Sequence, residues 1–307
     1  MSKIAFIFPG QGAQACGMGQ DFYEHTETGK RIFDKATELM GFSMPQLCFE
    51  ENDRLDITEY TQAAMVTASI AMMRVLEENG IKPDVAAGLS LGEYCALAAA
   101  GVMSDKDAIR TVRQRGILMQ EAVPVGEGAM AAILALDAAA IEEVTGAMEG
   151  VWIANYNCPG QIVISGEKAA VEEACEKLKA AGAKRAVMLN VSGPFHSGML
   201  ADAGEKLGEV LSQVELHEPQ IPYVANVTAQ YVKSAAEVKE LLTRQVSSSV
   251  RWQQSVEAMI ADGVDTFIEI GPGKTLAGFM RKISRDVKTL NVEKLEDISK
   301  VAEALKS

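Results

Sequence analysis

Short apolar runs and longer amphipathic segments alternate along the first part of the chain. Lys3–Phe8 and Asp84–Gly88 have the apolar pattern of short buried strands. Residues 30–40, 62–78 and 104–122 instead repeat their apolar positions with helical spacing. Strands that alternate with helices in this way predict a parallel sheet in an α/β fold.

A different order of elements is predicted between residues 126 and 193. The apolar patterns give a strand, a helix, two strands, a helix and a strand, at 129–136, 137–148, 151–156, 161–165, 168–181 and 184–191. This order is that of a ferredoxin-like unit, and it looks like an insertion. Beyond it, helices are predicted at 198–213, 234–246 and 252–262, and strands at 266–270 and 287–291.

Composition and charge exclude several classes of protein. There are 29 Lys and Arg against 42 Asp and Glu, a net charge of −13, which argues against a binder of nucleic acid or anionic membranes. No apolar run is long enough for a transmembrane helix, and the first residues lack the features of a signal peptide, so we expect a cytoplasmic protein. The five widely spaced cysteines and three scattered histidines predict reduced thiols and no metal site.

A G-x-S-x-G motif stands between a predicted strand and a predicted helix, at Gly88–Gly92. A sharp strand-to-helix turn strains the central residue, and the two glycines remove side chains that would collide there. Ser90 would then present its hydroxyl at a helix N-terminus, over Ser90–Ala100. Glu93 also fits a capping box with Ser90. The motif favours a nucleophilic Ser90 over a serine that only caps the helix.

A nucleophilic serine needs a base, and three histidines are available. His25 lies in a polar, helix-like segment and is expected at the surface, and His217 is expected in a loop. His196 follows a predicted strand and the turn at 192–195, a position where α/β proteins place functional groups. His196 is the favoured base, with a structural role as the alternative.

One arginine falls within an apolar helix face. Ala108, Val112, Arg115 and Met119 recur on one side of the predicted helix at 104–122. A charge in such a stripe is costly unless it is paired. Arg115 either reaches past its neighbours to solvent or presents its guanidinium to a carboxylate in bidentate fashion.

Two glycine-containing loops suggest nucleotide sites, and neither interpretation holds. The segment FPGQGAQ (8–14) follows the first strand and can offer backbone N–H groups to an anion. A dinucleotide fold would need a second strand where residues 27–42 predict a helix. The segment GPGKT (271–275) imitates the end of a P-loop, but Ile268 stands where its first glycine belongs.

Motifs along nearly the whole chain, in order, resemble the malonyl-CoA:acyl carrier protein transacylase family. They are FPGQGAQ (8–14), GLSLGEY (88–94), RGILMQEAVPVGEGAM (115–130), NCPGQIVISG (157–166), SGPFHS (192–197), SVRW (249–252) and EIGPGKTL (269–276). The chain departs from the family at Leu89, where histidine is common. That side chain is not the base in the family, so the implied mechanism stands, and the lining of the pocket beside Ser90 is left open.

The resemblance implies a ping-pong transfer of malonyl from malonyl-CoA to the phosphopantetheine thiol of acyl carrier protein, in fatty acid or polyketide synthesis. It also implies a monomer that needs no cofactor. We expect an α/β fold, in which residues 1–125 and 194–307 form a large α/β-hydrolase-like subdomain with a short parallel sheet. Residues 126–193 would form the inserted ferredoxin-like α+β small subdomain.

The resemblance also implies roles for particular residues. The implied catalytic residues are Ser90 as nucleophile, His196 as base and Gln245, whose backbone carbonyl orients the base in a dyad without an acid. The implied oxyanion hole consists of the backbone N–H groups of Gln11 and Leu91. The implied substrate contacts are Arg115, which would pair with the malonyl carboxylate, Met119, and Phe195, which leaves little room for an α-methyl group.

Other functions remain open at this point. A serine hydrolase or thioesterase would share Ser90 and His196 but would have no need of Arg115. A non-catalytic module with an acyl-CoA-like pocket would form no covalent adduct. A transacylase of methylmalonyl or other dicarboxylic groups is a further alternative.

Overall fold

The computed structural model describes residues 2–191 and 193–306. Its strands are β1 (Ile4–Phe8), β2 (Val85–Gly88), β3 (Gly128–Leu134), β4 (Val151–Cys158), β5 (Gln161–Glu167), β6 (Arg185–Met188), β7 (Tyr223–Val224), β8 (Thr266–Ile270) and β9 (Lys288–Val292). Its helices are α1 (Gln20–His25), α2 (Glu27–Met40), α3 (Met44–Phe49), α4 (Thr58–Glu78), α5 (Glu93–Ala99), α6 (Asp105–Glu121), α7 (Ala138–Gly146), α8 (Lys168–Ala180), α9 (Ala201–Leu211), α10 (Ala235–Gln245), α11 (Trp252–Ala261), α12 (Thr275–Ile283) and α13 (Asp297–Ala304).

A parallel sheet forms the centre of the molecule, with strand order β7-β2-β1-β8-β9. Phe6 and Phe8 of β1 point into the core formed with α2, α4 and α5, whereas Ala5 and Ile7 point into a second core with α11 and α12. Both faces of the strand are therefore buried, which explains its unbroken apolar sequence. The predicted α/β fold with a parallel sheet is confirmed.

The segment between the two halves of this sheet forms a sheet of its own. β3, α7, β4, β5, α8 and β6 follow one another, and the antiparallel strand order is β4-β5-β3-β6. Apolar side chains such as Ile133, Ile164 and Leu178 make a separate core with α7 and α8. Val250 joins this sheet to the rest of the molecule, since its N–H donates to Ala154 and its carbonyl accepts from Tyr156, at 2.8 and 2.9 Å.

Several elements differ from the sequence prediction. The helix expected over Ser90–Ala100 begins as a 3₁₀ turn at Ser90–Gly92 before α5 takes over. The short helices α1, α3, α12 and α13 and the two-residue strand β7 were not predicted, because so few turns give no clear periodicity. None of the helices in the described ranges is long and apolar enough to cross a membrane.

The turn between β2 and α5 depends on two glycines that pack against backbone. A Cβ on Gly88 would lie 2.0 Å from the carbonyl carbon and oxygen of Gly92. A Cβ on Gly92 would lie 2.2 Å from the carbonyl oxygen of Phe8, at the end of β1. Backbone cannot move aside as a flexible side chain can, so any larger residue must displace the turn.

We expect Gly92→Ala to lower the free energy of unfolding by about 1–3 kcal/mol, because overpacking forces backbone shifts of this cost. Urea denaturation of the variant measures the change. Gly278→Ala is the matched control, since Gly278 lies within α12 and a Cβ there meets open space. It should raise stability by about 0.5–1 kcal/mol. Equal stability of the two variants would contradict the packing argument.

Candidate active site

Ser90 lies at the bend between β2 and α5 with a left-handed backbone, at a φ of 50°. Such a conformation is rare for residues other than glycine and needs support from its surroundings. Asn226 supplies that support: its Oδ1 accepts the Ser90 backbone N–H at 2.7 Å, and its Nδ2 donates to the Gly88 carbonyl at 2.6 Å. The side chain of Ser90 is thereby directed into the cavity beside it.

His196 places its imidazole against the Ser90 hydroxyl, with Nε2 at 2.7 Å from Oγ. On the other side of the ring, Nδ1 lies 2.8 Å from the backbone carbonyl oxygen of Gln245. Because a carbonyl oxygen can only accept, Nδ1 carries the proton and Nε2 is left as an acceptor for the serine hydroxyl. The pair has the arrangement required for proton removal from Ser90.

The imidazole of His196 is held in its neutral form. Burial, and then the positive charge of Arg115, lower its pKa from 6.5 to about 4, although the Gln245 carbonyl acts in the opposite direction. The ring is 4% exposed, so its charged form is poorly solvated. At neutral pH it is therefore ready to accept a proton.

Arg115 is fully enclosed, at 1% exposure, and contacts the same hydroxyl. Its Nη2 lies 3.1 Å from Ser90 Oγ and 3.0 Å from the side-chain oxygen of Gln245, and its Nη1 lies 2.9 Å from that of Gln62. In the described part of the chain its Nε has no hydrogen-bond partner. Of the two alternatives for Arg115, the one in which its guanidinium reaches solvent is therefore wrong.

No carboxylate in residues 2–191 and 193–306 forms an ion pair with Arg115. Two neutral amide oxygens hold it instead, and burial lowers the pKa of the guanidinium, because the charged form is disfavoured away from water. A buried cation without an anion is a costly arrangement, and an incoming carboxylate would relieve it. The site is therefore suited to an acidic group close to Ser90.

The predicted capping box between Glu93 and Ser90 is wrong. The Oε2 of Glu93 instead accepts from Gln245 Nε2 at 2.7 Å and from the Asn226 backbone N–H at 3.3 Å. The carboxyl is 1% exposed, and burial raises its pKa to about 7 despite these donors and Arg115. Glu93 thus belongs to the hydrogen-bond network around the site.

The loop after β1 closes one side of the bend that carries Ser90. A Cβ on Gly10 would lie 2.7 Å from the Leu89 carbonyl oxygen, so only glycine allows this approach. Within the described residues, the backbone N–H groups of Gln11 and Leu91 donate no hydrogen bond. Two such donors beside a nucleophile can stabilise a developing oxyanion.

A cavity of about 700 Å³ opens onto these groups. The predicted site residues along its wall are Gln11, Ser90, Arg115, Met119, Phe195 and His196. Leu89 also lines the cavity, which shows how the pocket is built where the related family has histidine. Met130, Asn155 and Val163 come from the antiparallel sheet, so both sheets contribute to the wall.

The structure brings together the predicted side chains of Ser90, His196 and Arg115 and the predicted backbone carbonyl of Gln245. The contact of the Gln245 side chain with Arg115 was not predicted. His25 and His217 are exposed and lie outside this cluster, as expected. Ser192, the first residue of the SGPFHS segment, lies outside the described residues. Sequence analysis missed Gln62, Asn226 and the true contacts of Glu93.

Comparisons with known proteins identify the family of this chain. The model of the acyl transferase domain family matches residues 5–300. A malonyl CoA-acyl carrier protein transacylase of Bacillus subtilis is 50% identical over 311 residues, which cover 100% of this chain and 98% of the relative.

Solved structures also match over nearly the whole chain. A malonyl CoA-acyl carrier protein transacylase from Clostridium perfringens has a TM-score of 0.96 at 42% identity, over 99% of this chain and 98% of the other. A malonyl-transacylase in complex with its type II PKS acyl carrier protein has a TM-score of 0.95 at 40% identity, over 99% of this chain and 100% of the other. The chain therefore belongs to the acyl transferase domain family, in its malonyl-CoA:acyl carrier protein transacylase branch, and is an acyltransferase.

Proposed function

We propose that this enzyme transfers the malonyl group from malonyl-CoA to the phosphopantetheine thiol of acyl carrier protein. The observation that carries the proposal is the position of Arg115, which is buried at 3.1 Å from the Ser90 hydroxyl and forms no ion pair within residues 2–191 and 193–306. In a malonyl ester of Ser90, a single methylene group separates the ester carbonyl carbon from the free carboxylate. That carboxylate can reach the guanidinium directly. The names of the relatives support the same substrate and partner.

In the first half-reaction, His196 Nε2 takes the proton of Ser90 as Oγ attacks the thioester carbonyl of malonyl-CoA. The carbonyl oxygen becomes an oxyanion, which the backbone N–H groups of Gln11 and Leu91 stabilise. When the tetrahedral intermediate collapses, the carbon–sulfur bond breaks and the CoA thiolate takes the proton from His196. A malonyl-Ser90 ester remains.

In the second half-reaction, the phosphopantetheine thiol gives its proton to His196 and attacks the ester carbonyl. Collapse of the second intermediate breaks the bond to Ser90 Oγ, which regains the proton. Gln245 supplies a backbone carbonyl where other serine enzymes have an acid, so the imidazolium is stabilised by a dipole and not by an anion. Ser90 and His196 thus act as a dyad.

The walls of the cavity would determine which acyl groups fit. Met119 and Phe195 are both nearly buried and line the cavity next to Arg115 and Ser90. We propose that they contact the malonyl group and that Phe195 disfavours an α-methyl substituent. Selection against an α-methyl group would thus depend on the shape of the cavity, whereas selection of malonyl over acetyl would depend on the charge of Arg115.

The two sheets would belong to two subdomains with different roles in the site. We propose that residues 1–125 and 194–307 form the large subdomain that carries the nucleophile, and that 126–193 form the small ferredoxin-like subdomain that closes the cavity. The separate apolar core behind β3 and β5 supports this division. So does the position of Met130 and Val163 in the cavity wall.

Incubation with malonyl-CoA should give a single malonyl adduct, because the first half-reaction can proceed without the carrier. Intact-mass measurement detects it, and peptide mapping should place it on Ser90. Ser90→Ala should give no adduct, and Ser104→Ala, a helix N-cap serine, should give the normal one. Rapid loss of the adduct to water, with no gain in turnover from acyl carrier protein, would instead indicate a hydrolase.

Removal of the buried cation should abolish the preference for malonyl. In Arg115→Ala we expect the ratio of kcat/KM for malonyl-CoA to that for acetyl-CoA to fall by at least about 100-fold, since broken buried ion pairs cost roughly 3–5 kcal/mol. Arg110→Ala is the control, because Arg110 lies on the same helix but is exposed. An unchanged ratio in Arg115→Ala would refute the assignment.

The pH dependence should show the depressed pKa of His196. The neutral ring is the base, so the rate of malonyl adduct formation should stay level as pH falls through 6.5 and decline only toward a pH of about 4. Single-turnover rates of adduct formation, measured from about pH 4 to about pH 8, give this profile. That range includes the ordinary pKa values of Glu and His side chains. A decline centred near 6.5 would contradict the buried, cation-facing environment of the ring.

A further inference from the structure

The carboxyl of Glu93 takes no part in the proposed reaction, yet it lies enclosed in the hydrogen-bond network of the site. It is the first residue of α5, just beyond the bend at Ser90. Burying a carboxylate costs free energy unless hydrogen-bond donors compensate for the lost water. The donors that contact Glu93 therefore indicate what the residue does. On the basis of the proposed function, we propose that Glu93 is a positioning residue that acts through the side chain of Gln245 to hold Arg115 for the malonyl carboxylate.

The orientation of the Gln245 amide determines which of its atoms faces Arg115. Its Nε2 donates to Glu93 Oε2 at 2.7 Å and to the Ser90 carbonyl at 2.9 Å. Its Oε1 then has to face Arg115 Nη2, at 3.0 Å. An amide turned by half a rotation would present N–H donors to a guanidinium that has only donors. The acceptors on the Nε2 side therefore decide that Gln245 can hold the cation at all.

Glu93 is the stronger of those two acceptors. The hydrogen bond from Gln245 Nε2 to Glu93 is the shorter of the two, at 2.7 Å against 2.9 Å to the Ser90 carbonyl. When the Glu93 carboxyl is ionised, this bond is also about twice as strong as one between neutral groups. The Ser90 carbonyl belongs to the strained bend itself and moves with it. Without Glu93, the acceptors left to Gln245 Nε2 would be the Ser90 carbonyl, at 2.9 Å, and the more distant Asn226 Oδ1, at 3.4 Å.

The same carboxyl is connected to the other parts of the site. Its Oε2 also accepts the backbone N–H of Asn226, whose side chain holds the Ser90 N–H. The backbone carbonyl of Gln245 accepts from His196 Nδ1. Glu93 thus contacts the two residues that hold the nucleophile, the base and the cation, while it touches none of the reacting atoms.

The test measures kcat and KM for malonyl-CoA and acetyl-CoA in variants of the full chain. Glu93→Ala should lower the malonyl-to-acetyl ratio of kcat/KM about tenfold, mainly through KM for malonyl-CoA, because a buried charge-assisted hydrogen bond is lost. Glu93→Gln keeps an acceptor oxygen in place and should restore the ratio to within about threefold of the wild type. Should Glu93→Ala fail to fold, Glu93→Asp, which withdraws the carboxylate by one methylene, should show the same fall.

A double-mutant cycle separates positioning from general loss of structure. Gln245→Ala removes the amide but keeps the carbonyl that holds His196, so it should lower the ratio as Glu93→Ala does. The malonyl-to-acetyl ratio of the double variant should equal that of Gln245→Ala alone, because both substitutions remove the same Glu93–Gln245 hydrogen bond. Multiplicative effects in the double variant, or an unchanged ratio in Glu93→Ala or Glu93→Asp, would overturn the inference.

Glu269→Gln is the matched control. Glu269 is also a fully buried carboxylate, but it accepts the backbone N–H groups of Leu276 and Ala277 at the start of α12. This variant should lose stability and keep the malonyl-to-acetyl ratio. If the wild type forms no malonyl adduct, the proposed function fails; if it does and only the Glu93 results disagree, the positioning role alone fails.

Discussion

The site depends on a positive charge that is buried beside a serine hydroxyl and that forms no ion pair with any carboxylate in the described part of the chain. Arg115 is held by the amide oxygens of Gln62 and Gln245, which orient it and leave its charge unmatched. Burial of the ring, and then the charge of this cation, lower the pKa of His196 and so keep the imidazole neutral. In the proposed reaction the cation would also give an acidic acyl group a binding partner beside the Ser90 hydroxyl. One interaction thus links the choice of substrate to the state of the catalytic base.

The fold makes this arrangement possible by fixing the bend at Ser90. The ends of β1 and β2 lie side by side, with Phe8 paired to Gly88, and the glycines of the bend pack onto that backbone. Asn226, just beyond β7, reaches in from the neighbouring strand to hold the Ser90 N–H. Because these contacts are to backbone, the hydroxyl has little freedom to move relative to His196 and Arg115. The rigid sheet therefore supplies the preorganisation that acyl transfer requires.

The residues that could be predicted are those with a recognisable spacing, rarity or interruption of pattern in the sequence. Ser90 has glycines at fixed spacing, His196 is one of few histidines, and Arg115 interrupts an apolar helix face. The roles of Gln11, Leu91, Met119, Phe195 and Gln245 came only from the family resemblance, since an amide, a backbone N–H or an apolar side chain has no distinctive pattern of its own.

Other residues could not be predicted, for a physical reason. Glu93 has the spacing of a local helix cap, but its partner Gln245 is 152 residues further along the chain, and that tertiary contact prevails over the local one. Asn226 follows a strand of two residues, too short for any periodic signal. In the same way the long helices α4 and α6 were predicted, whereas the short helices around the rim of the sheet were not.

The central claim is that the buried guanidinium receives the carboxylate of the acyl group bound to Ser90. A crystal structure of the enzyme trapped with malonyl-CoA, in the absence of acyl carrier protein, tests it most directly. The account predicts an ester on Ser90 Oγ whose carboxylate oxygens lie within hydrogen-bond distance of the Arg115 nitrogens, with the ester carbonyl facing the amides of Gln11 and Leu91. An ester whose carboxylate points to solvent, with Arg115 still bound only to the two amides, would contradict it.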